Sequence, residues 1–326
     1  VLLTTDLCAE EGDLVLGVID AAGNSYTDQS VISHTIAVLP SWEAVDGSAP
    51  SWAGGGYPRD GCTAQNAAGD WVTYLIGDMS GITGFWGYNH DTNTWALAGA
   101  TGTPADRWAP DWAYDEATNL CYLTGGANTP GAGTYNEAYV YDPVANAFTA
   151  LPSFTSIRDF HDSWIGVVDG VKYLCIGGGN NGAGLTSTQC YGIAAGTWAA
   201  ENATIGAYPT DIWGAADGVL HAAGGDQFWT VAGAQTGSLI ADLAFYFDDA
   251  DNLWHAAGNT GVARYRVEGD FYNGAFYQVA GSDGTFTGTT DVRRGVNVGG
   301  TWTWEAYPNV PNRRMDNVAN VANGTL

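Results

Sequence analysis

Three segments of the sequence share one frame: PRDGCTAQNAAGDWVTYLIGD from Pro58, ADRWAPDWAYDEATNLCYLTGG from Ala105 and SIRDFHDSWIGVVDGVKYLCIGG from Ser156. Each places an Arg ahead of two short apolar runs and closes on Gly, with 18 residues from Arg59 to Gly77, 18 from Arg107 to Gly125 and 19 from Arg158 to Gly177. A second pair of runs follows the Gly, as in GFWGYNHDTNTWALA from Gly84 and EAYVYDPVANAFTALP from Glu137. Each pair reads as a hairpin with Asp and Asn in its turn. Four strands per unit, with closing glycines at 77, 125, 177 and 224, give periods of 48, 52 and 47 residues. Four-stranded sheets repeated at that period predict a β-propeller.

Composition supports an all-β chain. Apolar residues make up 45% and aromatics 13% of 326 residues, an ample core, while Gly reaches 46 and only one Lys, Lys172, is present. No window repeats apolar residues at helical spacing. No apolar run approaches the roughly 18 residues of a membrane-spanning helix, so no membrane insertion is expected. The net charge of −25 excludes nucleic acid and anionic membranes as partners, since ten cations among 35 acids cannot neutralise a phosphate backbone. The absence of an initial Met is compatible with a removed leader or a preceding domain.

The repeat is regular over residues 58–225 and degrades beyond. YPTDIWGAADGVLHAAGG from Tyr208 keeps a hairpin but has Thr210 in place of the Arg, and DLAFYFDDADNLWHAAGNTGVARYRV from Asp242 reads strand, acidic turn, strand. NGAFYQVAGSDGTF then follows too soon for a full blade. The expectation is one domain, 1–326: a single propeller of six or seven four-stranded antiparallel blades, seven favoured by chain length. Residues 1–57 would supply closing-blade strands plus an irregular insertion, and 226–326 degenerate blades and a closing strand. The chain stops at Asn-Gly-Thr-Leu, where the other units begin their second strand, so N- and C-terminal strands are expected to share one sheet and remove the open edges.

The frame resembles Kelch repeats of the galactose-oxidase-like propellers: an Arg before the first strand, Gly-Gly after the second, a Y-D-P-x-x-N-x-[WF] hairpin over Tyr141 to Phe148, then Leu151-Pro152. The resemblance implies that lead-in arginines line the face that receives a ligand. Carried onto this chain, it marks Arg59, Arg107, Arg158, Arg313 and Arg314, five of nine arginines, with Trp108, Asp159 and His161 beside them. A guanidinium cluster suits bidentate recognition of an acidic group. The competing reading is structural ion pairs with Asp60, Asp106, Asp159 or Asp316, and His161 falls where the repeat has a packing residue. His90 falls in the turn of YNHDTNTW, and His221 and His255 fall at one repeated place in two HAAG strands, which also argues for packing.

Copper-radical chemistry of the galactose-oxidase type requires two His and two Tyr around the metal, and no His pair here has a suitable place. A sialidase-like or lyase-like enzyme would use convergent arginines to hold a substrate carboxylate, but the S-x-D-x-G-x-T-W box is represented only by SDGTF at Ser282. No cofactor is expected. The best Ca²⁺ candidate, FDDADN from Phe247 to Asn252, lacks a distal bidentate Glu and reads as a hairpin turn. Five cysteines show no metal-ligand spacing. Cys175 and Cys190 flank GGGNNGAGLTST and are either joined across neighbouring strands or left as buried thiols. The functional expectation is a secreted or cell-surface, non-catalytic propeller. It would bind a protein or glycan at one face or self-associate in a surface assembly, with the glycan-active enzyme as the alternative.

Overall fold

The structure, a computed structural model, describes residues 60–77, 84–129, 132–222, 224–238, 240–285 and 287–310, with two short strands near the N-terminus. Two compact units divide the chain, Val1–Leu39 and Pro40–Leu326. In the first, β1 (Val18–Ile19) pairs antiparallel with β2 (Ser25–Tyr26). The closing strands expected at 313–326, and most of those expected in 1–57, lie outside the described residues.

The second unit is a β-propeller, with five four-stranded antiparallel blades among the described residues. The first comprises β3 (Cys62–Gln65), β4 (Trp71–Gly77), β5 (Gly84–Asn89) and β6 (Thr94–Leu97). The second is β7 (Asp111–Asp115), β8 (Leu120–Thr124), β11 (Ala138–Asp142) and β12 (Ala147–Leu151), with a two-stranded loop ribbon, β9 (Ala127–Thr129) and β10 (Ala132–Thr134). The third is β13 (Asp162–Val168), β14 (Val171–Gly177), β15 (Thr188–Gly192) and β16 (Thr197–Trp198). The fourth holds β17 (Ala216–Ala222), β18 (Gly225–Val231), β19 (Ala241–Asp248) and β20 (Leu253–Arg264), and the fifth β21 (Glu268–Tyr272), β22 (Ala275–Val279), β23 (Val292–Val298) and β24 (Thr301–Tyr307).

The expected six or seven blades are counted over the whole chain, and the described residues hold five, with most of 1–59 and all of 311–326 outside them. HAAGG is the β17–β18 turn, where Ala222 pairs with Gly225, so Gly224 closes no second strand. The segment from Asp242 supplies strands three and four of that same blade, and NGAFYQV is the second strand of the next. His221 and His255 consequently hold different positions, on the first and fourth strands, despite their shared HAAG sequence.

The hairpin turns explain the repeated Asp and Asn. Asp142 Oδ1 accepts the N–H groups of Val144 and Ala145, both at 2.9 Å. Asn146 then takes a left-handed φ of 50°, which Asn tolerates better than most residues, and its Oδ1 accepts the Tyr141 hydroxyl at 2.9 Å. The same Tyr-to-Asn bond recurs in Tyr114–Asn119 at 3.1 Å and Tyr88–Asn93 at 2.5 Å, both with Asn at positive φ. One short sequence therefore encodes a turn, its bend and a side-chain tie.

The Gly-Gly motif has an equally local cause. After the second strand of the second to fifth blades two consecutive residues are left-handed: Gly125–Gly126, Gly178–Gly179, Ala232–Gly233 and Ala280–Gly281. The second of each pair must be Gly, since a Cβ on Gly179 would lie 2.6 Å from His161 Cβ and one on Gly281 2.7 Å from Val267 Cβ. The bend lets the Gly amide reach the next blade: Gly126 N–H donates to Arg158 O at 3.0 Å, Gly179 to Ile212 O at 2.8 Å and Gly233 to Arg264 O at 2.6 Å.

Blades pack through apolar faces generated by strand alternation. Phe85, Trp112, Tyr141 and Phe148 fill the first seam, and Trp164 stacks on Phe228 across the third at 4.0 Å between centroids. Two disulfides add covalent ties. Cys175–Cys190 joins directly opposed residues of β14 and β15, as one of the two readings held. Cys62–Cys121 joins the first blade to the second, a pairing without a local sequence signal. Cys8 lies outside the described residues.

Replacing Asn146 with Ala removes the Tyr141 acceptor, the Nδ2 donor to Ala98 O at 2.7 Å and the tolerance for positive φ. Denaturant unfolding of Asn146→Ala should show a loss of about 1–3 kcal/mol, whereas Val144→Ala in the same turn, 58% exposed, should stay within ~0.5 kcal/mol of wild type.

Candidate functional site: an acidic axial channel

The innermost strands β3, β7, β13, β17 and β21 line a central channel of about 550 Å³ to which all five blades contribute. Asp60, Asp115, Asp217, Asp226, Glu268 and Asp270 are among its carboxylates; Glu116 adds another, and Lys172 and His221 are its basic groups. Both basic groups are engaged by acids. Lys172 Nζ lies 2.7 Å from Asp115 Oδ1, and His221 Nδ1 lies 3.0 Å from Asp226 Oδ1. Asp60 Oδ2 accepts the Trp112 amide at 2.8 Å, tying the first blade's inner strand to the second's. The wall carries an excess of negative charge concentrated by low-dielectric surroundings, an arrangement that draws cations.

A different chemistry holds the strand-lead-in end. Trp108, Phe160, Trp213 and Tyr265 come from four successive blades and meet edge to face, with centroids at 4.6 Å for Trp108–Phe160, 5.8 Å for Phe160–Trp213 and 5.4 Å for Trp213–Tyr265. The Arg266 guanidinium covers them, 5.5 Å from the rings of Trp108 and Phe160 and 6.0 Å from Tyr265. Burial raises the Tyr265 hydroxyl pKa, and the hydrogen bond and charge of Arg266 oppose that shift.

The arginines singled out by the repeat occupy a third environment. Arg107 is fully buried: its Nη1 donates to Gly125 O at 3.0 Å, its Nε to Ala105 O at 3.1 Å and its Nη2 to Glu137 Oε2 at 3.1 Å, with Tyr135 and Tyr139 rings against the cation. Arg158 is likewise buried, with Nη1 donating to the carbonyls of Gly178 and Ser187 at 2.9 and 3.0 Å and Nη2 to Ser187 Oγ at 2.9 Å. Burial pulls its pKa down to about 10, opposed chiefly by Glu201 at 3.7 Å, so it remains charged near neutrality. Neither side chain lines the channel. Each pins its lead-in to the Gly turn and third strand of its own blade, because those carbonyls are left unpaired by the left-handed bend. Arg107 and Arg158 thus form ion pairs with Glu137 and Glu201, and the charge of Arg107 also acts on the neighbouring Asp106. Arg59, Arg313 and Arg314 lie outside the described residues.

The remaining expected residues also sit in the framework. His161 is fully buried between the second and third blades, its Nε2 2.7 Å from Thr124 Oγ1, with Gly125 and Gly179 against the ring and its Cβ. Asp159 exchanges backbone bonds with Asn180, and Trp108 with Ala127. In the FDDADN turn, Asp248 Oδ1 accepts the Ala250 amide at 2.8 Å and Asp251 Oδ1 the Leu253 amide at 3.0 Å, the pattern of a hairpin turn. Arg266 and the channel carboxylates were missed. Arg266 stands two positions after the framework Arg264 in RYRVEGD, a doublet that the repeat frame offered as a signal.

No protein-family model matches this sequence, and no curated protein matches it significantly.

Arg158→Met keeps length and removes the charge, orphaning the Gly178 and Ser187 carbonyls. Its unfolding free energy should fall by about 3 kcal/mol or more, measured by urea denaturation, while the channel carboxylates keep their places.

Proposed function

We propose that the protein is a secreted or cell-surface, non-catalytic Kelch-type propeller that binds a partner protein through the acidic mouth of its axial channel. The observation that carries this reading is the set of carboxylates that four of the five blades bring to one cavity, with the ammonium of the third blade's Lys172 engaged by Asp115. A cationic side chain entering there exchanges water for several carboxylates at once, which favours a Lys- or Arg-bearing segment over an acidic glycan. The two disulfides support an oxidising compartment. The sialidase-like alternative loses its motive where Arg107 and Arg158 offer no exposed guanidinium to a substrate carboxylate.

Titration calorimetry with pentalysine tests the reading, with neutral maltohexaose as comparison. Pentalysine should bind, with affinity falling as salt rises, and Asp217→Asn/Asp270→Asn should weaken it by about tenfold, ~1.4 kcal/mol. Binding of maltohexaose alone, or pentalysine binding indifferent to both aspartates, would sink the proposal.

A further inference from the structure

The third and fourth blades meet at their hairpin-turn ends through a carboxylate. Asp249, in the turn between β19 and β20, reaches across the seam and accepts the Val167 amide of β13 at 2.9 Å. Residue 166 is Gly, and a Cβ there would lie 3.1 Å from Trp164 Nε1 and 3.4 Å from Asp249 Oδ1. A second bond runs parallel, from Asn252 Nδ2 to Asp169 Oδ1 at 3.0 Å.

The charges around this latch are nearly all negative. On its own turn stand Asp248 and Asp251; from β18 comes Asp226, whose carbonyl accepts the Asp249 amide at 2.9 Å; from the β13–β14 turn comes Asp169. The basic groups nearby are committed elsewhere. His221 of β17 contacts Asp226, His255 of β20 contacts Asp251 at 2.9 Å, and Lys172 of β14 contacts Asp115 of the second blade. We propose that Asp249 makes the seam between the third and fourth blades a pH-sensitive latch, closed in mildly acidic surroundings and loosened at neutral pH and above.

Burial, and then the negative charges of Asp226 and Asp248, push the Asp249 carboxyl up to about 6, against the opposing pull of the Val167 amide. A carboxyl raised above its unfolded value binds its proton more tightly in the folded protein. The latch therefore gains stability as pH falls through about 6, holds it below the ordinary carboxylate range near ~4, and loses it as pH rises through 6. Ionised Asp249 keeps its amide donor but stands half-buried among like charges, which disfavours the closed seam.

Asp249→Asn retains an acceptor for Val167 and abolishes the charge. Its melting temperature should exceed that of wild type by ~2 °C at pH 7.5, and the difference should vanish by pH 5. Exchange of the Val167 amide, corrected for its intrinsic rate, should slow in wild type as pH falls through 6. A difference between variant and wild type that is constant from pH 5 to 8, or a less stable variant at pH 7.5, overturns the proposal. Should Asp249→Asn not fold, Asp226→Asn removes a neighbouring charge and should move the wild-type transition to lower pH; an unmoved midpoint overturns it too. His221→Gln/His255→Gln should keep the pH dependence, and its loss there would assign the effect to the imidazoles instead.

Discussion

The arrangement of the blades depends on a girdle of backbone hydrogen bonds around the axis. Phe160 N–H donates to Ala109 O at 3.2 Å, Gly214 to Phe160 O at 2.9 Å and Arg266 to Gly214 O at 2.8 Å, so the lead-ins of the third, fourth and fifth blades are each bonded to the lead-in of the blade before. All four residues have φ between 46° and 60°. The left-handed bend points each amide backward and each carbonyl forward, which an extended residue could not do. For Ala109, Phe160 and Arg266 that conformation costs of order 1 kcal/mol each, and the paired, buried amides and the aromatic contacts beside them offset it.

The placement of the aromatic wheel and Arg266 follows from that girdle. Trp108, Trp213 and Tyr265 immediately precede the bent residues, and Phe160 is itself one of them, so their rings are gathered at the axis. The inner strands start within a few residues and carry the channel carboxylates. The axis thus carries rings and a guanidinium at the lead-ins and acids along its channel wall. Arg107 and Arg158 are spent on carbonyls and glutamates inside the blades, while Lys172 meets Asp115 within the channel itself, so carboxylates outnumber cations along its wall.

The lead-in arginines show how a repeated residue can be read in two ways. Repetition at one register is expected both of residues that converge on an axis and of residues that repair the same local defect in every unit. Here the defect is the left-handed Gly bend, which leaves carbonyls without partners, and the guanidinium, with five donors in a plane, fills it. The fourth blade dispenses with the Arg and has Thr210 near that place, hydrogen-bonded to Gln235 Nε2 at 2.7 Å. A ligand-binding constellation would not be exchanged for a neutral pair so readily as a structural one.

The sequence by itself determined the strands, their hairpins and the four-strand unit, because these rest on alternation, on Asn and Asp turns and on Gly bends that act within a few residues. Tyr141 to Phe148 and the paired glycines were legible for that reason. The grouping of strands within the fourth blade was not, since the turn at Gly224–Gly225 and the closing Ala232–Gly233 bend present similar local chemistry and only strand pairing separates them. Tertiary structure alone decided that Cys62 meets Cys121 across a seam, that Arg158 turns into its own blade, that Arg266 crosses to Trp108, and that carboxylates far apart in the chain share one channel. Those outcomes depend on the angle at which one blade follows another, and that angle is set by the bonds between successive lead-ins, which leave no pattern in the order of the residues.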